Sequence, residues 1–146
     1  MNLKDENSLR EILRILERKL GLLNRSEASC CNTTLSQCHA LVEIGRVGEL
    51  TLNELAETLV LDKSTMSRTI NNLVDANLVT REIHPEDRRY ITIKLTKTGD
   101  EFYRKTESSM NEYFQKVLNS IPEEKRECVI ESLQLLINAI NENKCC

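Results

Sequence analysis

The chain has 146 residues, with 20 Lys and Arg against 23 Asp and Glu, and a net charge of −3. Hydrophobic residues make up 40% of it and charged residues 29%, which excludes a disordered or fibrous chain. Four Gly and two Pro are too few for an all-β fold, and aromatic residues, at 3%, are too few for stacking on single-stranded bases. No apolar segment reaches the roughly 18 residues of a membrane span, and residues 1–20 resemble an amphipathic helix, not a signal peptide. The composition predicts a mostly helical, cytoplasmic protein with no membrane segment.

The charge is unevenly distributed along the chain. Residues 61–97 carry 7 basic and 5 acidic side chains, a net +2, whereas the segments before and after them are both negative. A local basic stretch matters more for binding a polyanion than the charge of the whole chain. The middle of the chain is therefore the candidate region for contact with nucleic acid.

The first half of the chain predicts four helices. Apolar residues recur at three- and four-residue steps over 9–23, as on an amphipathic helix, and residues 24–33 lose this period and predict a loop. Thr34 and Gln37 have the spacing of a capping box, which begins a second helix. A further capping box, Thr51 with Glu54, predicts the start of a third helix, and Asp62 is a suitable cap for a fourth.

After the fourth predicted helix, the sequence pattern changes from a helical period to a period of two residues, which is typical of β-strands. Residues 78–83 and 90–95 alternate and are rich in β-branched side chains, so they predict a hairpin whose charged tip lies between them. Thr96 or Thr98 caps a fifth helix, and a sixth is predicted to start with Ser120, Pro122 and Glu123.

Four helices, a hairpin and two helices, in that order, predict a mainly α fold with a small β-hairpin wing. The third and fourth helices with the hairpin form a winged helix-turn-helix arrangement. We expect a single domain over 1–146, with a DNA-binding lobe at 34–96. The long apolar stripes of 1–24 and 97–146 predict dimerisation helices and hence a homodimer.

The predicted fourth helix has a polar face that is suited to the major groove of DNA. Hydroxyl groups bind phosphates or bases, Arg suits guanine and Asn suits adenine. A solvated helix face has the same character, but the basic hairpin tip favours DNA, because an Arg on a hairpin can enter a narrow minor groove. The candidate DNA-binding residues are Lys63, Ser64, Thr65, Ser67, Arg68, Asn71, Asn72, Asp87, Arg88 and Arg89.

Two segments resemble one family of bacterial regulators, the MarR family. Residues 61–73 (LDKSTMSRTINNL) resemble its recognition helix, and residues 87–99 (DRRYITIKLTKTG) resemble its wing signature. The resemblance implies a homodimer on a double-stranded, pseudo-palindromic operator, with half-sites about 34–36 Å apart. It also implies repression of transcription until a ligand or oxidant releases the DNA.

The resemblance further implies roles for single residues. Arg89 would enter the minor groove, held by Asp87, with Arg88 near a phosphate. The hydroxyl side chains and the Arg of the fourth helix match major-groove positions. Asn77 stands where the family more often has Gly, and Asn tolerates the same left-handed backbone.

Six cysteines suggest a signal that acts through thiols. Cys30 and Cys31 lie in the predicted loop, and Cys38 lies one turn inside the second helix, so three thiolates meet the preference of a soft metal or metalloid ion. His39 is a candidate fourth ligand, and Cys145 and Cys146 are candidates to reach this cluster across the dimer. Cys is equally often a small buried hydrophobe, the interpretation favoured for Cys128. No zinc-finger spacing is present.

Several hypotheses about function remain at this point. The regulator is released through its thiols, by a soft metal, a metalloid or an oxidant, or by a small organic ligand with the cysteines incidental. No phosphate loop, catalytic triad or zinc-protease motif is present, so we do not expect an enzyme. A winged helix that binds protein is disfavoured by Arg89 and the hydroxyl-rich fourth helix.

Overall fold

The computed structural model describes residues 5–30, 33–143 and 145, with only the backbone described for 24–30. Over these residues the elements are α1 (Glu6–Cys30), α2 (Leu35–Val47), β1 (Glu49–Thr51), α3 (Leu52–Leu59), α4 (Lys63–Asp75), β2 (Val79–Ile83), β3 (Ile91–Leu95), α5 (Lys97–Asn119) and α6 (Glu123–Glu142). The mainly α fold with a hairpin wing is confirmed. Contacts divide the chain into two compact units, Met1–Thr106 and Glu107–Cys146, with the boundary inside α5. None of the described helices is both long and apolar enough to cross a membrane.

The wing belongs to a three-stranded antiparallel sheet of order β1-β3-β2. Strands β2 and β3 pair from Val79 with Leu95 to Ile83 with Ile91, which confirms the predicted hairpin. Strand β1 pairs with the other edge of β3. Sequence reasoning missed β1 because three residues between two helices are too short to display an alternating pattern.

The core of the first unit lies between α2, α3, α4 and the sheet. Its side chains come from positions three or four apart on the helices and from alternate positions on the strands, as burial of one face requires. The fully buried ones are Ala40, Leu41, Ile44, Leu55, Met66, Ile70, Leu73, Val79 and Ile93. This shared core holds α4 and the strands of the wing in the same compact unit.

The predicted starts of α2, α3 and α4 are confirmed. Both capping boxes are present: Gln37 N donates to Thr34 Oγ1 at 3.2 Å, and Thr51 N donates to Glu54 Oε2 at 2.8 Å. Asp62 caps α4. These groups satisfy N–H donors that the first turn of a helix leaves without partners.

The start of α5 is decided in favour of Thr96 over Thr98. The backbone N–H of Gly99 donates to Thr96 Oγ1 at 3.0 Å, and the Thr96 hydroxyl donates to Asn77 O at 2.7 Å. Asn77 has φ 59, so its backbone is left-handed, as expected for the residue that stands where Gly is more common. The end of α4 is thereby tied to the start of α5.

Two predicted boundaries are wrong. The loop predicted for 24–33 is helical as far as Cys30, because Arg25, Glu27 and Ala28 are good helix formers and no Gly or Pro intervenes. Loss of an apolar stripe does not end a helix. Of the residues predicted to start α6, only Glu123 lies in the helix, which begins there without a side-chain cap, and the Ser120 hydroxyl donates to Lys116 O instead.

Each unit exposes apolar side chains on a long helix. In the first unit, α1 exposes Leu9, Ile12, Ile15, Leu16, Leu20 and Leu22. In the second unit, α6 has no fully buried residue and exposes Ile130, Leu133, Leu135, Ile137 and Ile140. Part of each set belongs to the apolar stripes from which the dimerisation helices were predicted: Leu9, Ile12, Leu16 and Leu20 of α1, and Leu133, Ile137 and Ile140 of α6.

Candidate nucleic-acid interface

The start of α4 is organised by one carboxylate. Asp62 Oδ1 accepts from Thr65 N at 2.8 Å and from Ser64 Oγ at 2.7 Å, and Asp62 Oδ2 accepts from Thr65 Oγ1 at 2.7 Å. The hydroxyls of Ser64 and Thr65 and the backbone N–H of Thr65 hold the pKa of Asp62 far below its usual range. The carboxylate is therefore charged at neutral pH and can only accept hydrogen bonds.

This arrangement determines what the two hydroxyls offer to a ligand. A hydroxyl can donate one hydrogen bond, and the hydroxyls of Ser64 and Thr65 both donate theirs to Asp62. Only their oxygen lone pairs therefore remain for a ligand. Lone pairs accept from the amino groups of adenine or cytosine, which lie at the floor of the major groove. They do not suit phosphate oxygens, which also accept. Of the two targets expected for hydroxyls, the geometry thus favours bases over phosphates at these positions.

The other candidate residues of α4 lie where the sequence placed them, on the polar face. Lys63, Arg68, Asn71 and Asn72 are exposed, and Ser67 is half-buried. Within the part of the chain that the structure describes, the Arg68 side chain makes no hydrogen bond or ion pair. Its donors are available for a guanine edge or a phosphate.

At the tip of the wing, Asp87 holds Arg89. Arg89 Nη2 lies 2.9 Å from Asp87 Oδ2, Arg89 Nε lies 3.1 Å from Oδ1, and the backbone N–H of Arg89 donates to the same Oδ1 at 3.0 Å. The Arg89 side chain and backbone lower the pKa of Asp87, and the carboxylate raises the pKa of Arg89. The pair that the resemblance implies is therefore present, with the Arg89 side chain 85% exposed. Arg88 is exposed beside it.

The remainder of the tip is closed by short hydrogen-bonded turns. His84 N donates to Tyr90 O at 2.9 Å, Tyr90 N donates to Asp87 O at 3.1 Å, and Glu86 N donates to His84 Nδ1 at 3.2 Å. Arg89 therefore lies in a hairpin tip that is closed by hydrogen bonds.

Sequence reasoning missed one contact between α4 and the wing. Arg81, on β2, donates through Nη2 to Oδ1 of Asn71, on the third turn of α4. Asn71 was predicted to be a DNA-binding residue, and in the structure its Oδ1 accepts from Arg81. Ten residues separate the two in sequence, so no local pattern indicated the pair.

A second set of charges joins the three strands on the opposite face of the sheet. Lys94 Nζ lies 3.3 Å from Glu49 Oε2 and 3.2 Å from Glu82 Oε2. Both carboxylates raise the pKa of Lys94, that of Glu82 first. Lys94 therefore has two carboxylate partners, one on each neighbouring strand.

The cysteines are only partly described. Cys38 is buried in α2, at 1% exposed, and His39 beside it is half-buried. Cys30 is the last residue of α1 and not part of a loop, and Cys31 and Cys146 lie outside the described residues. Cys145 is exposed. Among the residues that the structure describes, no group of three or more His, Cys, Asp or Glu side chains is placed to hold a metal ion.

Cys128 was predicted to be a small buried residue, and this is wrong. It is exposed on α6, with its Sγ 4.0 Å from Ser132 Oγ. The position lies beside the apolar stripe of the helix, and among the described residues its thiol is exposed to solvent.

The sequence of this chain is similar to a family of known transcriptional regulators. The model of the MarR family matches residues 32–89, which span α2 to the tip of the wing. The HTH-type transcriptional regulator BilQ of Clostridium symbiosum is 26% identical over 122 residues, which cover 84% of this chain and 85% of BilQ. The uncharacterized HTH-type transcriptional regulator YxaD of Bacillus subtilis is 28% identical over the same length and coverage.

Solved structures share the fold. Streptococcus pneumoniae FabT, in complex with DNA, superposes with a TM-score of 0.81 at 19% identity, covering 96% of this chain and all of FabT. The Staphylococcus aureus MepR–DNA complex gives a TM-score of 0.74 at 22% identity, covering 89% of this chain and 96% of MepR. Two structures with this fold have therefore been determined with DNA bound.

Proposed function

This chain belongs to the MarR family of transcriptional regulators, and we propose that it is a homodimeric repressor that binds a pseudo-palindromic operator in double-stranded DNA. One observation carries the proposal: a helix start with outward-facing lone pairs and an ordered, Asp-held arginine lie on the same compact unit. The helix suits a major groove and the arginine suits a minor groove. Such a function needs no catalytic residue and is exercised in the cytoplasm.

The homodimer is supported by the exposed apolar side chains of α1 and α6. Large contiguous apolar surface on a soluble chain marks an interface, and a second copy is the commonest partner. A two-fold axis between protomers requires a two-fold axis in the DNA. We therefore expect half-sites about 34–36 Å apart, one helical turn from centre to centre.

The proposed contact with bases predicts the effect of removing Arg68. Its exposed guanidinium is placed on the polar face of α4, so Arg68→Ala should lower affinity about tenfold or more and relax preference at one base position of each half-site. The measurement is binding to a duplex selected by the wild-type protein from a random pool, and to all single-base variants of that duplex. Arg14→Ala, which removes an exposed arginine of α1, is the matched control. Equal affinity of Arg68→Ala and wild type for every variant would contradict the assignment.

The signal is proposed to act through thiols. Cys30 ends α1 and Cys38 lies in the first turns of α2, so a soft ion shared by Cys30, Cys31 and Cys38 would connect these two helices. Cys38 is buried, and an ion reaches its thiol only when the start of α2 opens locally. Binding of the ion would then stabilise that open arrangement and change the spacing of the two α4 helices in the dimer.

A thiol titration tests this signal. With arsenite, zinc, cadmium or copper(I), we expect about three thiols per chain to become protected and the selected duplex to be released. Both effects should disappear in Cys30→Ser/Cys31→Ser and persist in Cys128→Ser, the matched control. Unchanged DNA release in the double variant would exclude Cys30 and Cys31 from the sensor. If no ion protects thiols or releases the duplex, the ion proposal is overturned, and an oxidant or a small organic ligand becomes the expected signal.

A further inference from the structure

Arg81 lies at the join between the recognition helix and the wing. On β2 it shares a face with Val79, which is buried in the core, and it lies two residues further toward the tip. Its guanidinium reaches the third turn of α4, where Nη2 donates to Asn71 Oδ1. Arg81 and Asn71 are both exposed. A cationic side chain is thus held in the open seam between the two elements that are proposed to enter DNA.

The charge of Arg81 is not compensated by the protein. Arg89 pairs with Asp87, and Lys94 pairs with Glu49 and Glu82. Over the described ranges 5–30, 33–143 and 145, Arg81 pairs with a neutral amide and forms no ion pair. Asn71 occupies one donor of the five that a guanidinium has, so four remain. Arg81 therefore offers a positive charge and a planar set of donors to a ligand.

The shape of DNA determines what meets this side chain. Adjacent major and minor grooves are separated by a single sugar–phosphate strand. If α4 lies in the major groove and the wing tip in the adjacent minor groove, that strand must pass through the seam between them. A guanidinium in the seam then faces phosphate oxygens, which its donors match in geometry and charge.

We propose that Arg81 binds a phosphate of the strand that separates the two grooves, and that Asn71 positions its guanidinium and does not read a base. The proposal rests on the DNA-binding function. In a bidentate contact with adenine, Oδ1 of an asparagine accepts from the base amino group. Here Oδ1 accepts from Arg81, which turns the amide toward the wing. Arg81 is a binding residue of the interface, and Asn71 is a positioning residue.

The salt dependence of binding separates a phosphate contact from a base contact. Each neutralised phosphate contributes about 0.9 to the slope of log affinity against log salt. With one Arg81 in each protomer, Arg81→Gln should lower the slope by about 2 and the affinity at 0.15 M salt by roughly 30-fold. The loss should be the same for the selected duplex and for its single-base variants. Arg81→Lys keeps the charge and should keep the slope.

Two further variants complete the experiment. Arg104→Gln, which removes an exposed arginine paired with Asp100 on α5, is the matched control and should leave the slope unchanged. Asn71→Ala should weaken all duplexes by a similar factor. A changed ranking of the single-base variants in Asn71→Ala would show that Asn71 reads a base and would overturn its positioning role.

The outcomes separate failure of the DNA-binding function from failure of the Arg81 phosphate contact. If the wild-type protein selects no duplex from the random pool, the DNA-binding function itself fails. If the wild type binds and Arg81→Gln retains the wild-type slope, the phosphate contact alone is overturned. Circular dichroism of each variant identifies loss of folding, and Arg81→Lys still tests the charge if Arg81→Gln does not fold.

Discussion

Replacing Gly99 by Ala is expected to destabilise the folded protein by about 3 kcal/mol, the upper part of the range for overpacking a rigid site. A Cβ at this position would lie far inside the van der Waals contact distance from the Leu78 carbonyl oxygen. That oxygen already accepts from Thr96 N at 3.0 Å, and Thr96 in turn caps α5 through Gly99 N. Because backbone atoms on both sides make the contact, no side-chain rotation relieves it. The close approach of α5 to the start of β2 thus requires glycine.

Chemical denaturation of Gly99→Ala and wild type measures this effect. Gly21→Ala is the matched control, since Gly21 is also helical and a Cβ there would meet nothing within 4 Å. We expect this control to be more stable than wild type by up to about 1 kcal/mol, because Ala has the higher helix propensity. A Gly99→Ala variant that is as stable as wild type would contradict the proposed packing of α5 against Leu78.

Replacing Arg89 by Ala is expected to lower affinity for the selected duplex about 100-fold, because both wings of the dimer lose their minor-groove contact. Narrow, A·T-rich minor grooves have the most negative potential, so the loss should be greatest on duplexes with A·T-rich flanks. Arg89 is exposed and its ion pair is at the surface, so the fold should be unaffected. Binding to duplexes that differ only in their flanks measures both effects.

The carboxylate that holds Arg89 provides a graded test of the same contact. Asp87→Asn keeps the arginine and removes the charge that aligns it, so we expect a smaller loss of affinity, of about tenfold, with the flank preference retained. Arg104→Ala is the control for removal of an exposed arginine elsewhere. Equal affinity of Arg89→Ala and wild type on A·T-rich flanks would exclude the wing from the interface.

The interface divides its work between α4 and the wing in a way that the chemistry of single residues explains. Asp62 uses up the protons of Ser64 and Thr65, which leaves acceptors for base amino groups. Arg68 supplies donors on the same helix. In the proposed interface, the positive charge for phosphates comes from Arg81 on β2 and Arg88 at the tip of the wing. Base selection and phosphate binding are therefore assigned to different side chains.

Much of this protein was predictable from its sequence because the deciding interactions are local. The caps at Thr34, Thr51 and Asp62 join groups three residues apart, and the Asp87–Arg89 pair joins groups two residues apart. The hairpin follows from alternation within its own strands. Such contacts form wherever the residue types recur at the right spacing, so a pattern in the chain is enough to predict them.

The tertiary structure decided what depends on residues that are distant in sequence. Strand β1 is recognisable only by its pairing with β3. The contact of Arg81 with Asn71 forms only because the core brings β2 against α4. In the sequence, Gly99 is only the last residue of the wing signature. That it must lack a side chain becomes visible only where Leu78 approaches it. Sequence patterns report periodicity and neighbours along one segment. The distance between segments is set by packing of the shared core, which no single segment contains.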